Sequence, residues 1–248
     1  MQHLLFSVTE TKGPAKFDAV LPIPQQRPTT WANMQSDFHE DVVVCAFTKR
    51  NPIITDINEK ALYERNPYTS MPGVKPYLPA PAQYTEPDPN AVISFKDMVD
   101  LTSHLEPNGR LQWDVPTGDW TIVRMLRRAT CASTRPAPKP GVGLECDKFD
   151  TDALDDHFAN YYGKLLKKVI PQKGKHGWTT VHIDSWEMGA QNWTPKFLAE
   201  FEKRRRYDPK PYLLAYTGRA VGSLEQSERF LWPIFYSCVF LGDGKWRF

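Results

Sequence analysis

"TTVHIDSWEMGAQNWTPKFLAEFEKRRRYD", residues 179–208, decides how the chain is read. It opens on β-favouring residues, "WTTVHID" with the tryptophan before it, which predict a buried strand ending at Asp184. A second acid, Glu187, follows three positions later, then Gln191, Asn192 and Trp193. Thr194 stands where a helix N-cap is expected and Pro195 at the first helical position. The helix predicted from there buries Phe197 and Phe201, one turn apart. It ends in Arg204, Arg205 and Arg206, a cationic last turn that complements the macrodipole.

Upstream, Leu154, Phe158, Tyr161 or Tyr162, Leu165 and Val169 recur at helical spacing, which predicts a helix from Thr151 to Ile170. Pro171 stops it. Helix, strand, helix is the alternation of an α/β barrel or an open parallel sheet. In both, function collects at the carboxyl ends of strands, the place Asp184–Thr194 would occupy.

The first 130 or so residues read differently. "FDAVLPIP" and "DVVVCAF" are short β-rich runs, and "AVISFKDMVDLTSHL" is a third. "GRLQWDVPTGDWTIVRMLRRA" reads as two strands around a turn at Pro116-Thr117-Gly118-Asp119. Leu111, Trp113 and Val115 alternate with polar neighbours, as in a half-buried strand. Residues 51–90 hold eight prolines, which predicts a largely irregular loop that adds little to the core. The expected organisation is a mostly β, sandwich-like domain over 1–130, part of an α/β barrel over 131–232, and an atypical tail over 233–248.

The chain has 248 residues, 41% of them hydrophobic, enough for a sizeable core. Its net charge is +2, too balanced for a nucleic-acid partner to be expected. No apolar run reaches membrane-spanning length, and "MQHLLFSVTETKG" lacks the features of a signal peptide. Cys45, Cys131, Cys146 and Cys238 form no CxxC pair, so neither a zinc site nor a disulfide framework is indicated.

Two carboxylates with aromatic walls are the equipment of glycoside hydrolysis. Trp186 and Met188 flank Glu187 and would help keep its carboxyl protonated. Gln191 and Asn192 suit sugar hydroxyls. Trp186 and Trp193 are either sugar platforms or core. His182, on the strand face of Asp184, reads as a structural residue rather than a catalytic one. Asp184 as a turn cap and Glu187 as a solvated acid complete the plain alternative. A second constellation, "GLECDK" at 143–148, places Glu145 and Asp147 two apart. They are either oxygen ligands for a hard cation or an acidic helix entrance. Cys146 between them has no evident base partner, so it is not expected to act as a nucleophile.

The stretches "HIDSWEMGAQNWTPKFLAEFEKRR", "DVPTGDWTIVRMLRRAT", "RPAPKPGVGLECDK" and "SERFLW" together resemble glycoside hydrolase family 106, the α-L-rhamnosidase-like enzymes, over most of residues 90–232. The resemblance implies a (β/α)8 barrel with attached β-domains, and calcium at the active site. It also implies inverting hydrolysis of terminal rhamnose from polysaccharides, in a secreted or periplasmic setting. It makes Glu187 the catalytic carboxyl, as general acid. It also makes Glu145, Asp184 and Asn192 substrate or metal contacts, taken here as substrate contacts. Residue chemistry adds Trp186, Gln191 and Trp193 as substrate contacts and Asp147 as a metal contact. Arg206 stands where the family pattern has glycine, Leu214 where proline is usual, and the likeness stops after Trp232. The chain is accordingly expected to be a partial one, weakly active or inactive by itself. The rival expectation is a non-catalytic carbohydrate-binding or structural β-domain.

Overall fold

A computed structural model of the chain describes residues 1–27, 34–64, 84–85, 87–134, 136–168 and 189–231. Its centre is one antiparallel sheet of strands β1 (Gln2–Val20), β2 (His39–Thr48), β3 (Val99–Asp100) and β4 (Arg110–Ala129), in the order β1-β4-β2-β3. Short helices follow: α1 (Ile57–Lys60), α2 (Thr151–Asn160), α3 (Tyr162–Lys168) and α4 (Phe197–Arg205), then a 3-10 helix, Lys210–Thr217. Residues 224–231 are helical. A sheet with few helices is what the described residues show. They do not show the expected barrel, and the strand predicted around 178–184 lies outside them.

The predicted turn at Pro116–Asp119 is absent. β4 runs straight through it, paired with β1 from Val20↔Arg110 to Gln2↔Ala129. The register shifts between Gly13 and Ala15, where Gly13 faces Gly118 and Ala15 faces Val115. β4 therefore fits Pro116 and Thr117 against Pro14 alone, which is a bulge. Both prolines sit at the irregularity, where no ladder N–H is lost. Gly13 is required by close approach: a Cβ there would lie 2.0 Å from the Pro116 carbonyl oxygen. The bulge bends the ribbon. Leu111 and Val115, before it, pack with Ile122, after it, and with Leu21, Val44, Ala46, Leu101 and Trp120 in one apolar cluster. Leu111 and Val115 are buried as their alternation predicts.

Val43, Cys45 and Phe47 of β2 and Val123 and Met125 of β4 belong to a second, larger cluster. It includes Leu4, Leu5, Trp193, Phe197, Phe201, Leu213 to Tyr216, Val221, Phe230 and Leu231. Ile54, Ala61 and Tyr63 are also part of this core, a correction to the expectation for the Pro-rich stretch. Apart from α1 and a 3-10 turn at Pro89–Ala91, the described residues of 51–90 are irregular, as expected. "AVISFKDMVDLTSHL" holds the 3-10 turns Phe95–Asp97 and Thr102–His104 and the end of a third, and only Val99–Asp100 is strand.

The helices depart from expectation in detail. The Thr151 start holds, with the Asp150 carboxylate accepting from Asp152 N–H, but the helix breaks at Tyr161 and neither half has a buried residue. Thr194 does not cap α4 with its side chain. Lys196 is at the N-cap, and the Thr194 backbone carbonyl accepts from Phe197 N–H at 3.0 Å. The cause is the Pro195–Lys196 turn, which delays the helix by two residues. Arg206 ends α4 at φ 66°, ψ 26°, the left-handed conformation that glycine adopts without steric cost. Arg206→Gly is expected to raise stability by about 1 kcal/mol, read as a higher urea midpoint at unchanged m-value.

Candidate active site

Residues 189–194 follow Glu187 and run beside the start of β1. Gln2 and Trp193 form an antiparallel bridge. Leu4 N–H donates to Asn192 Oδ1 at 2.7 Å. His3 Nε2 lies 2.9 Å from the Ala190 carbonyl oxygen. That oxygen can only accept, so Nε2 carries the proton.

Asn192 is fully buried. Its Nδ2 donates to the Ala61 carbonyl at 2.8 Å, and its own carbonyl accepts from Tyr216 Oη–H at 3.2 Å. It joins β1, the α1 segment and the 3-10 helix. Trp193 is in the core, its ring 4.6 Å from that of Phe197, so of its two readings the structure places it as packing. Gln191 Nε2 donates to Asp147 Oδ1 at 2.5 Å and to the Trp193 carbonyl at 2.9 Å. Asp147 Oδ1 also accepts from Phe149 N–H at 3.0 Å, while its Oδ2 is enclosed without a hydrogen-bond partner. Glu145 is half-buried, its carboxylate paired with Lys148. Asp184, Trp186 and Glu187 lie outside the described residues.

The structure thus brings Asp147, Gln191, Asn192 and Trp193 together, with Glu145 next along the chain. Asp147 reaches a residue four positions after Glu187. Burial raises the Cys146 thiol, which keeps it protonated, and its Sγ–H donates to the Ala153 carbonyl. Among the described residues no group of three or more His, Cys, Asp or Glu is placed to hold a metal ion.

His3 was not singled out by its sequence. The only signal is its place beside two leucines in a β-rich run. Burial pulls its pKa down to about 4, against which the Ala190 bond pulls weakly upward. The folded protein therefore holds His3 neutral where the unfolded chain, with the ordinary value near 6.5, protonates it. Its contribution is fully present above pH 6.5 and is lost as pH falls from there towards 4. Stability is expected to drop by about 3 kcal/mol over that window. Most of the drop should vanish in His3→Gln, measured by urea unfolding at pH 7, 5.5 and 4.

The same fold is found in a solved rhamnosidase from Novosphingobium sp. PP1Y, with a TM-score of 0.71 over 94% of this chain and 34% of that one. At 19% identity the likeness speaks for the fold alone. A protein of Formosa agariphila is 35% identical over 237 residues, covering 94% of this chain and 18% of its own length, and is named "Putative beta-glucuronidase". Both names are those of glycosidases. Residues 1–237 match the family described as alpha-L-rhamnosidase, and the chain belongs to it, glycoside hydrolase family 106. It spans about a fifth and a third of the lengths of these two relatives. No helix of the described residues is long and apolar enough to cross a membrane.

Proposed function

We propose that the chain carries part of the catalytic unit of an inverting glycosidase that removes terminal α-L-rhamnose from polysaccharides, within a (β/α)8 barrel. The observation that carries the reading is the Asp147–Gln191 hydrogen bond. It joins the two segments, "GLECDK" and "SWEMGAQNW", that the family resemblance assigns to one site, in a chain whose family is that of the α-L-rhamnosidases.

Glu187, as general acid, gives its proton to the glycosidic oxygen as the bond to the sugar breaks. Inversion requires a second carboxylate about 6.5–9.5 Å away to take a proton from the attacking water. Asp184 and Trp186 would border the sugar. Gln191, fixed by Asp147, and Asn192, clamped between β1 and Ala61, set the exit path of the segment that bears Glu187. Glu145 would stand at the edge of the site. Calcium is the metal the family implies, and Asp147 is the contact that the residue spacing offers it. A calcium ion takes about six to eight oxygens. The described residues offer it one free carboxylate oxygen, Asp147 Oδ2, beside a Glu145 already paired with Lys148. They do not build its site.

The test sets the chain at high concentration against an aryl α-L-rhamnoside and an aryl β-D-glucuronide, the second because of the Formosa relative's name. Slow release from the rhamnoside is expected, with Glu187→Gln lowering it at least ~100-fold. Release from the glucuronide alone, or release indifferent to Glu187, would sink the reading. Rhamnose binding without any turnover would favour the non-catalytic alternative.

A further inference from the structure

Arg219 has no place in the site above. It is 6% exposed. Its Nε donates to the Arg50 carbonyl at 3.3 Å and its Nη1 to Thr217 Oγ1 at 3.1 Å, with Cζ 5.7 Å from the Phe47 ring centroid. Nη2 makes no hydrogen bond within the described protein and is not among its enclosed atoms. No carboxylate among the described residues pairs with this guanidinium. The acid in its field is Glu10, and Glu10 is held by Lys49. Arg50 carries a second guanidinium that meets no carboxylate among the described residues: its Nη1 donates to the Lys49 carbonyl at 2.8 Å, and its Nε is enclosed without a partner among them.

A buried charge with no counter-charge costs stability. The contacts Arg219 makes do not need the charge. A methionine stem would pack against Phe47 as well, and a glutamine could still donate to the Arg50 carbonyl. The open Nη2 is half of a fork that suits a bidentate oxyanion.

We propose that Arg219 is a binding site for an oxyanion: a carboxylate, sulfate or phosphate group. It is separate from the Asp147–Gln191 cluster. Arg219 meets the chain just past Thr48, which faces Trp120, whereas Gln2, beside the cluster, faces Ala129. Those two points on β4 are about 30 Å apart at the rise of an extended strand.

Thermal unfolding of the chain tests this, with sodium sulfate and with sodium D-glucuronate, each against sodium chloride at equal ionic strength. Sulfate stabilises proteins in general without saturating, so the signature is a saturable rise that depends on Arg219. The expected rise is roughly 3–5 °C at ten times Kd. It is lost in Arg219→Met, which is compared with and without anion so that its own change in stability cancels. A rise with both anions assigns the site to oxyanions generally, and a rise with glucuronate alone to an acidic saccharide. No saturable rise with either anion overturns the proposal, as does an equal rise in the variant. If Arg219→Met does not fold, the Arg219 side-chain NH resonance of the parent decides. A shift that saturates with either anion upholds the site, and an unmoved resonance overturns it.

Discussion

Asn192→Ala is expected to cost about 4 kcal/mol of folding stability, the largest loss of any single truncation in the candidate site. Asn192 is fully enclosed and makes two side-chain bonds of opposite polarity. Alanine leaves the Leu4 N–H and the Ala61 carbonyl buried and unpaired, at about 1–3 kcal/mol each, and opens a cavity besides. Asn192→Asp separates the causes. The carboxylate still accepts from Leu4 N–H, but its second oxygen meets the Ala61 carbonyl, where a donor is required. Only a protonated carboxyl can supply that donor, so the folded protein raises its pKa. The defect relative to the parent is therefore largest near pH 7 and shrinks as pH falls towards the ordinary carboxylate range. Chemical unfolding of parent and both variants at pH 7 and pH 5 measures this, with the comparison made at each pH because His3 weakens all three on acidification. An alanine variant within 1 kcal/mol of the parent would show that the clamp is not what holds residues 189–194 to β1.

These contacts mark where the sequence was readable. The alternation of Leu111 and Val115 is local, and the strand follows it. The arginine in place of glycine at the end of α4 is also a local signal, and Arg206 duly sits in the left-handed region. The family, legible in long motifs, is shown. Most of β1 was not legible. Only its end reads as β-rich, in "FDAVLPIP"; "SVTETKGPAK" before it has charged residues and a Gly-Pro, so it carries no strand signal of its own. Its charges are satisfied across the ribbon, Lys12 with Asp119, Lys16 with Asp114 and Asp18 with Arg110. Its proline is accommodated by a second proline about a hundred residues away. Both facts depend on register, which no single segment contains. The site divides in the same way. Asp147 and Gln191 were each legible as polar residues at the end of an element, but their contact spans 44 positions. From its neighbours Trp193 fits a core or, less readily, a sugar platform. Leu4 and Leu5, packed in the same cluster, decide the matter.

Arg124→Met is expected to cost about 3 kcal/mol, and most of that loss should return when Asp41→Leu is added. Arg124 belongs to the face of β4 that the bent ribbon covers, with its side chain 3% exposed. Its Nε and Nη2 donate to the two oxygens of Asp41 at 2.7 and 2.9 Å, and Nη1 donates to the Leu21 carbonyl at 2.8 Å. The fork fixes three pieces at once: β4, the register shift of β2 between Asp41 and Val43, and the end of β1. It also explains Gly109, where φ is +82° and a Cβ would lie 2.7 Å from Arg124 Nη1. Removing only the arginine strands a carboxylate and a carbonyl. Breaking a buried pair in this way costs about 3–5 kcal/mol. The lower end applies because the Asp41 side chain, 28% exposed, regains some water. Replacing both partners with apolar groups removes the stranded charge, and such exchanges are often neutral. The Leu21 carbonyl then remains as the residual defect, at about 1 kcal/mol. A double-mutant cycle by urea unfolding reads the coupling directly. Near-additive losses would mean that the pair contributes through separate contacts, and that the bent ribbon is held by its apolar cluster alone.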